Sequence, residues 1–90
     1  MIGRRLLIRG RVQGVGFRYA LADEARARRL SGWVRNRRDG TVEALVIGSE
    51  SDVEAMIAWA RRGPPGARVT DLSVEQASET ATGFEIAATA

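Results

Sequence analysis

Apolar residues recur along this chain at two alternating periods, and the order of those periods leaves few folds open. In LLIRGRV, Leu6, Ile8 and Val12 fall on one face and Arg9 and Arg11 on the other, the spacing of a half-buried strand. From Phe17 to about Arg29 the period becomes helical, with Phe17, Leu21 and Ala25 at i, i+4 and i+8. GWVRN is a short strand, RRDG a turn with the Asp39-Gly40 hairpin signal, and TVEALVIG the partner strand. Ser51 followed by Glu54 predicts a capped helix whose Val53, Met56, Ile57 and Ala60 line one face. GPPG stops it, because Pro64 and Pro65 lack the amide hydrogens and steric room a helix needs. ARVTDLSVEQ reads as a further strand, ASETAT as a polar connection and GFEIAA as a last short strand.

The resulting order is strand-helix-strand-strand-helix-strand-strand. Two strand-helix-strand units on one small antiparallel sheet of four to five strands build a ferredoxin-like α/β sandwich (α+β), with both helices on one face. Ninety residues suit a single domain spanning residues 1–90, with little room for a second function. No apolar run approaches the roughly 20 residues of a bilayer crossing. The start, MIGRRLLIRGRVQG, is too short in its apolar part and too promptly broken for a secretory signal. The expectation is a soluble cytoplasmic protein that acts as a monomer and has no membrane partner.

Cysteine and histidine are both absent. That removes disulfides, cysteine and histidine nucleophiles, Ser-His-Asp triads and almost every transition-metal site. Chemistry must then run on backbone N–H groups, Arg, Asn, Ser, Thr and carboxylates. All 14 basic residues are arginine, against 11 acidic ones, for a net charge of +3. The excess suits an anionic ligand without naming one, and codon preference is the blander explanation of the missing lysine.

The loop QGVGFR joins the first strand to the first helix. At a helix N-terminus the first amides lack intrahelical acceptors, and the macrodipole gathers partial positive charge there. Glycines let consecutive amides turn inward on an anion, since no Cβ obstructs unusual φ values or close approach. Arg18, in the first turn, adds a full charge and a planar fork matched to phosphate oxygens. These features describe a phosphate nest built from the amides of Gly14, Val15, Gly16, Phe17 and Arg18 plus the Arg18 side chain. They describe equally well a strand that must turn sharply into a helix. A Walker loop is excluded, because no Gly-Lys-Ser/Thr follows. The dinucleotide fingerprint fails where Tyr19 takes the place of its third glycine.

In GWVRNRRDG, Asn36 ends a strand just ahead of a turn, a place Asn also takes for local backbone hydrogen bonding alone. Trp33 reads as a core residue, Arg35, Arg37 and Arg38 as solvated, and Asp39-Gly40 as hairpin chemistry.

Together, GRVQGVGFR, GWVRN, DGTVE and GPPGARV closely resemble the acylphosphatases, over roughly residues 5 to 76 with no evident gap. The resemblance implies the same ferredoxin-like sandwich. It also implies hydrolysis of the carboxyl-phosphate bond of acyl phosphates, giving a carboxylate and inorganic phosphate without metal or organic cofactor. The glycine-rich loop would bind the phosphate, Arg18 would grip it, and Asn36 would position the attacking water through its Oδ1. Inorganic phosphate or a similar anion would act as product and inhibitor. Such chemistry needs neither histidine nor cysteine. The leaving carboxylate has a conjugate acid of pKa near ~4, so no general acid is required. The barrier falls through positioning and neutralisation of phosphoryl charge. With no obvious protein base, the substrate phosphate is left to accept the water's proton.

Arg29 departs from the family pattern, which often has glycine there; a left-handed arginine costs on the order of 1 kcal/mol. The tail after Gln76 matches weakly. Two alternatives come from other classes. Similar domains occur inside larger carbamoyl-phosphate-using maturation proteins, and an end at residue 90 without a linker favours the free-standing enzyme. GVGFRY faintly resembles the glycine-aromatic strand motif of RNA recognition motifs. It lies at a strand-to-helix loop in a chain with only five aromatics, so no nucleic-acid partner is expected.

Overall fold

The computed structural model describes all 90 residues. Its elements are β1 (Ile2–Arg11), α1 (Phe17–Ala27), β2 (Ser31–Asn36), β3 (Val42–Gly48), α2 (Glu50–Arg62), β4 (Arg68–Gln76) and β5 (Phe84–Ile86), the order expected from the two periods. The strands form one sheet in the order β4-β1-β3-β2-β5. The first three pairings across it are antiparallel. β5 runs parallel to β2, with Gly32 opposite Phe84 and Val34 opposite Ile86. The sheet is therefore mixed, which corrects the expectation of a wholly antiparallel one.

The cause is the connection into β5. β4 ends at Gln76, opposite Arg4, at the end of the sheet where β2 begins. Residues 77–83 cross along that end. The Ala77 amide donates to the Gly3 carbonyl at 3.1 Å, and the Gly32 amide donates to the Gly83 carbonyl at 2.9 Å. A strand that enters beside the start of β2 can only run in the direction of β2.

Both helices cover one face. Leu6 and Ile8 of β1, Val34 of β2 and Val42, Ala44 and Val46 of β3 meet Phe17, Leu21 and Ala25 of α1 and Val53, Met56 and Ala60 of α2. α1 lies over β2 and β5, while α2 lies over β1, β3 and β4. Each fully buried Leu, Ile, Val, Phe or Met contributes about 1.5–3 kcal/mol relative to exposure, so this single layer carries most of the stability. No helix is long and apolar enough to cross a membrane.

Two local expectations are corrected. Val34 faces the helices, so strand alternation sends Trp33 and Arg35 to the helix-free face. Trp33 is half-buried there, outside the core, and the Arg35 guanidinium stacks 4.7 Å from its ring centroid. α2 is capped by Ser49, not Ser51. The Ser49 hydroxyl accepts from the Asp52 amide at 3.3 Å and donates to the Asp52 carboxylate at 2.9 Å. Ser-x-x-Asp thus does the work expected of Ser-x-x-Glu two residues later, and Ser51 sits inside the first turn.

Candidate active site

β1 leaves the sheet at Arg11 and the chain turns through residues 12–16 into α1. Gly14 and Gly16 have φ of +73° and +78°, and the one non-glycine residue with positive φ in the chain is Arg29. Val15 and Phe17 therefore lie on the negative side, and the sign of φ alternates from residue 14 to residue 17. Such alternation aims successive amides to one side, the geometry of an anion-binding nest. A Cβ on Gly14 or Gly16 would meet no heavy atom within 4 Å. Glycine is required there for backbone conformation rather than for space.

None of the amides of Gly14, Val15, Gly16, Phe17 and Arg18 donates to an acceptor within the protein. Gly16 caps α1 without a side-chain hydrogen bond, and the first intrahelical bond runs from the Ala20 amide to the Gly16 carbonyl at 3.0 Å. The loop thus presents free donors at the positive end of a helix dipole, where an anion is favoured.

Arg18 stands in that first turn, half-buried and in no ion pair. The turn holds no acidic residue. Stability alone favours Asp or Glu at this position by about 0.3–1 kcal/mol, so a cation here has the wrong sign for the helix. Phe17, by contrast, is buried and meets Trp59 edge-on, with ring centroids 5.8 Å apart at 70°, which pins the loop's end to α2. Tyr19 is exposed on the helix. GVGFRY therefore forms no strand-borne aromatic platform of the kind that stacks RNA bases.

Ile8, Val42 and Asn36 lie opposite one another across β1, β3 and β2. This register puts Asn36 on the helix side of the sheet, at the end where β1 gives way to the loop. Its Oδ1 is buried and accepts no hydrogen bond. The oxygen expected to hold water is thus turned inward. The two ends of a side-chain amide are nearly equal in size, so a half-turn about the last bond exchanges them. No hydrogen bond to Oδ1 opposes that turn.

Two residues missed by the sequence reading hold this region. Gln13 Nε2 donates to the carbonyls of Arg37 at 2.7 Å and Thr41 at 2.9 Å. On the helix-free face the buried Glu43 carboxylate accepts from Arg35 Nε at 2.9 Å and Arg37 Nη1 at 3.3 Å, with Arg5 Nε 3.6 Å away. Arg35 and Arg37, expected in water, are thus tied down on either side of Asn36, because a buried carboxylate needs partners of opposite charge. Arg38 is exposed as expected. The Ala90 amide donates to the Asn36 carbonyl at 3.0 Å and brackets the same turn from the other edge. The Asp39 carboxylate accepts from the Thr41 hydroxyl at 2.6 Å and the Thr41 amide at 3.0 Å. Those bonds, aided by Arg37 and Arg9, hold its pKa below the usual 3.8.

The Arg35–Glu43 pair had a sequence signal. The Asp39-Gly40 turn sets a hairpin register in which the two stand directly opposite. Gln13 had none, because its partners are backbone carbonyls 24 and 28 residues away.

Known proteins share this arrangement of elements. The family model described as Acylphosphatase matches residues 4–86. An acylphosphatase from Burkholderia lata is 55% identical over 69 residues, which cover 77% of this chain and 70% of that protein. The crystal structure of acylphosphatase from Bacillus subtilis superposes with a TM-score of 0.92 at 42% identity, covering 97% of this chain and 99% of the other. The crystal structure of T. kodakarensis HypF superposes with a TM-score of 0.81 at 33% identity, over 96% of this chain but 12% of that one.

Proposed function

The chain belongs to the acylphosphatase family, and on that premise we propose that it hydrolyses small acyl phosphates at the loop of residues 14–18. The phosphoryl group sits in the nest, held by the amides of Gly14 to Arg18, and the Arg18 guanidinium takes two of its oxygens side by side. Asn36, its amide turned so that Oδ1 faces outward, accepts a hydrogen bond from a water opposite the leaving group. The water oxygen bonds to phosphorus as the bond from phosphorus to the acyl oxygen breaks. The products are a carboxylate and inorganic phosphate, and the water's proton passes to a phosphate oxygen. The carboxylate leaves unprotonated, since its conjugate acid has a pKa near ~4. What the protein supplies is position and charge neutralisation, the usual division of labour in phosphoryl transfer. The reading needs no metal or organic cofactor, and has the chain act as a monomer in the cytoplasm.

The observation that carries this reading is the run of free amides of alternating φ beside an unpaired Arg18 at the start of α1. Its test is hydrolysis of benzoyl phosphate in EDTA by the wild type, Arg18→Ala and Asn36→Ala. Arg18→Ala is expected to lose about 10²–10³-fold in kcat, as when one donor to a transition-state oxyanion is removed, and Asn36→Ala about 10²-fold, as when the attacking water loses its alignment. Wild-type activity that survives both substitutions refutes the assignment.

The match to a small fraction of HypF favours a second reading, in which such a domain serves a larger protein. Carbamoyl phosphate run beside benzoyl phosphate separates the two, since the second reading expects the carbamoyl substrate to be strongly preferred.

A further inference from the structure

Building on the functional reading above, we infer that Gln13 is a positioning residue that sets the spacing between the phosphate-binding loop and Asn36. Gln13 immediately precedes Gly14, so its backbone is continuous with the nest. Its Nε2 gives both hydrogens to the hairpin, one to the Arg37 carbonyl at 2.7 Å and one to the Thr41 carbonyl at 2.9 Å. Arg37 follows Asn36 in the chain, and Thr41 precedes Val42, the cross-strand partner of Asn36. The Thr41 carbonyl also accepts from the Arg37 amide at 2.9 Å, so Gln13 binds the neck of the hairpin just beyond Asn36. No other hydrogen bond joins residues 12–16 to this hairpin.

In-line attack requires the water and the phosphorus to be held on one axis, and a misplacement of about 1 Å costs roughly 10²-fold in rate. Here the phosphate and the water are held by different elements, the loop after β1 and the end of β2. Gln13 is the hydrogen-bonded link between them. Removing its donors leaves the hairpin its own bonds, Arg37 amide to Thr41 carbonyl and Gly40 amide to Arg37 carbonyl at 3.1 Å. It also leaves the nest amides untouched. The loss therefore falls on the alignment of the two parts and spares phosphate binding.

The experiment compares wild type, Gln13→Met, Asn36→Ala and the double variant. It measures kcat on benzoyl phosphate and the Kd of inorganic phosphate by calorimetry. Methionine keeps the length of glutamine and removes both donors. Gln13→Met is expected to lower kcat about tenfold while phosphate Kd changes less than about threefold. The double variant is expected to lie within about twofold of Asn36→Ala, because a positioning residue has nothing left to position. Gln13→Asn, one methylene short of both carbonyls, should give the same split and serves if Gln13→Met does not fold. A kcat loss that fails to exceed the loss of phosphate affinity by at least threefold overturns the inference. So does a loss that multiplies in full onto that of Asn36→Ala. Failure of the functional reading itself shows separately, as a wild type without acyl phosphate hydrolysis, and takes the inference with it.

Discussion

Replacing Arg29 by glycine should stabilise the protein while leaving its chemistry alone. The helix α1 ends in a Schellman arrangement: the Leu30 amide donates to the Ala25 carbonyl at 2.9 Å and the Arg29 amide donates to the Arg26 carbonyl at 3.0 Å. Leu30, just beyond, is buried and supplies the apolar contact that accompanies this motif. The motif places Arg29 at φ 57°, where an L-residue carries about 1 kcal/mol or slightly more of strain from its Cβ. The side chain offsets none of this, being exposed and in no ion pair. Glycine removes the strain but gives up about 0.5 kcal/mol to the greater freedom of its unfolded chain.

The net gain is about 0.5–1 kcal/mol. At roughly 4–8 °C per kcal/mol for a domain of this size, Tm should rise by about 2–8 °C. In urea the midpoint should rise with the slope unchanged. Arg29→Ala serves as reference, because it removes the same charge and keeps the Cβ. Glycine should exceed alanine by about 0.5–1 kcal/mol, with kcat the same in all three, since Arg29 lies at the end of α1 opposite Arg18. If alanine stabilises as much as glycine, crowding with Arg26 and Arg28 is the cause and the strain argument is wrong.

Two further outcomes test the hairpin. Glu43→Ala leaves Arg5, Arg35 and Arg37 without their shared carboxylate; since these side chains are 32–40% exposed, the expected loss is modest, about 1–2 kcal/mol in urea unfolding. A change below about 0.5 kcal/mol would mean that water replaces the network. The Asp39 carboxyl, followed by carbon NMR, should titrate with a midpoint below 3.8, because its ionised form accepts the two Thr41 hydrogen bonds. Its folded pKa is depressed, so its contribution to the turn is complete above 3.8 and fades as pH falls through the lower folded value. A midpoint at or above 3.8 contradicts the assigned bonds.

Where the fold follows from side-chain period, residues announce it. Phe17, Leu21 and Ala25 of α1 are buried together as their spacing requires, and so are Leu6 and Ile8 of β1. Where it follows from paths through space, they do not. GFEIAA reads as a strand in isolation, but its direction depends on which end of the sheet residues 77–83 cross. Trp33 looks apolar enough for the core, yet its side of the sheet is set by Val34 beside it. Within the candidate site, Gly14, Gly16 and Arg18 are legible because nest geometry demands particular residue types. The inward turn of the Asn36 amide and the reach of Gln13 are not legible, because they depend on atoms brought near only by folding.

Arginine supplies every basic side chain here, so residue type does not say which of them are neutralised; geometry sorts them. Arg35 and Arg37 meet Glu43, Arg5 meets Glu79 at 2.7 Å, Arg9 meets Asp71 at 3.2 Å and Arg28 meets Glu24 at 2.9 Å. These contacts lie on the helix-free face, at the sheet edge or along a helix, and they brace the elements around the loop. Arg18 is placed otherwise, unpaired on a helix end whose dipole already repels it and beside amides that no protein group accepts. The cation on the positive helix end is unfavourable alone. An anion in the loop offsets that repulsion and gives the open amides an acceptor, so added phosphate should raise Tm in the wild type and much less in Arg18→Ala.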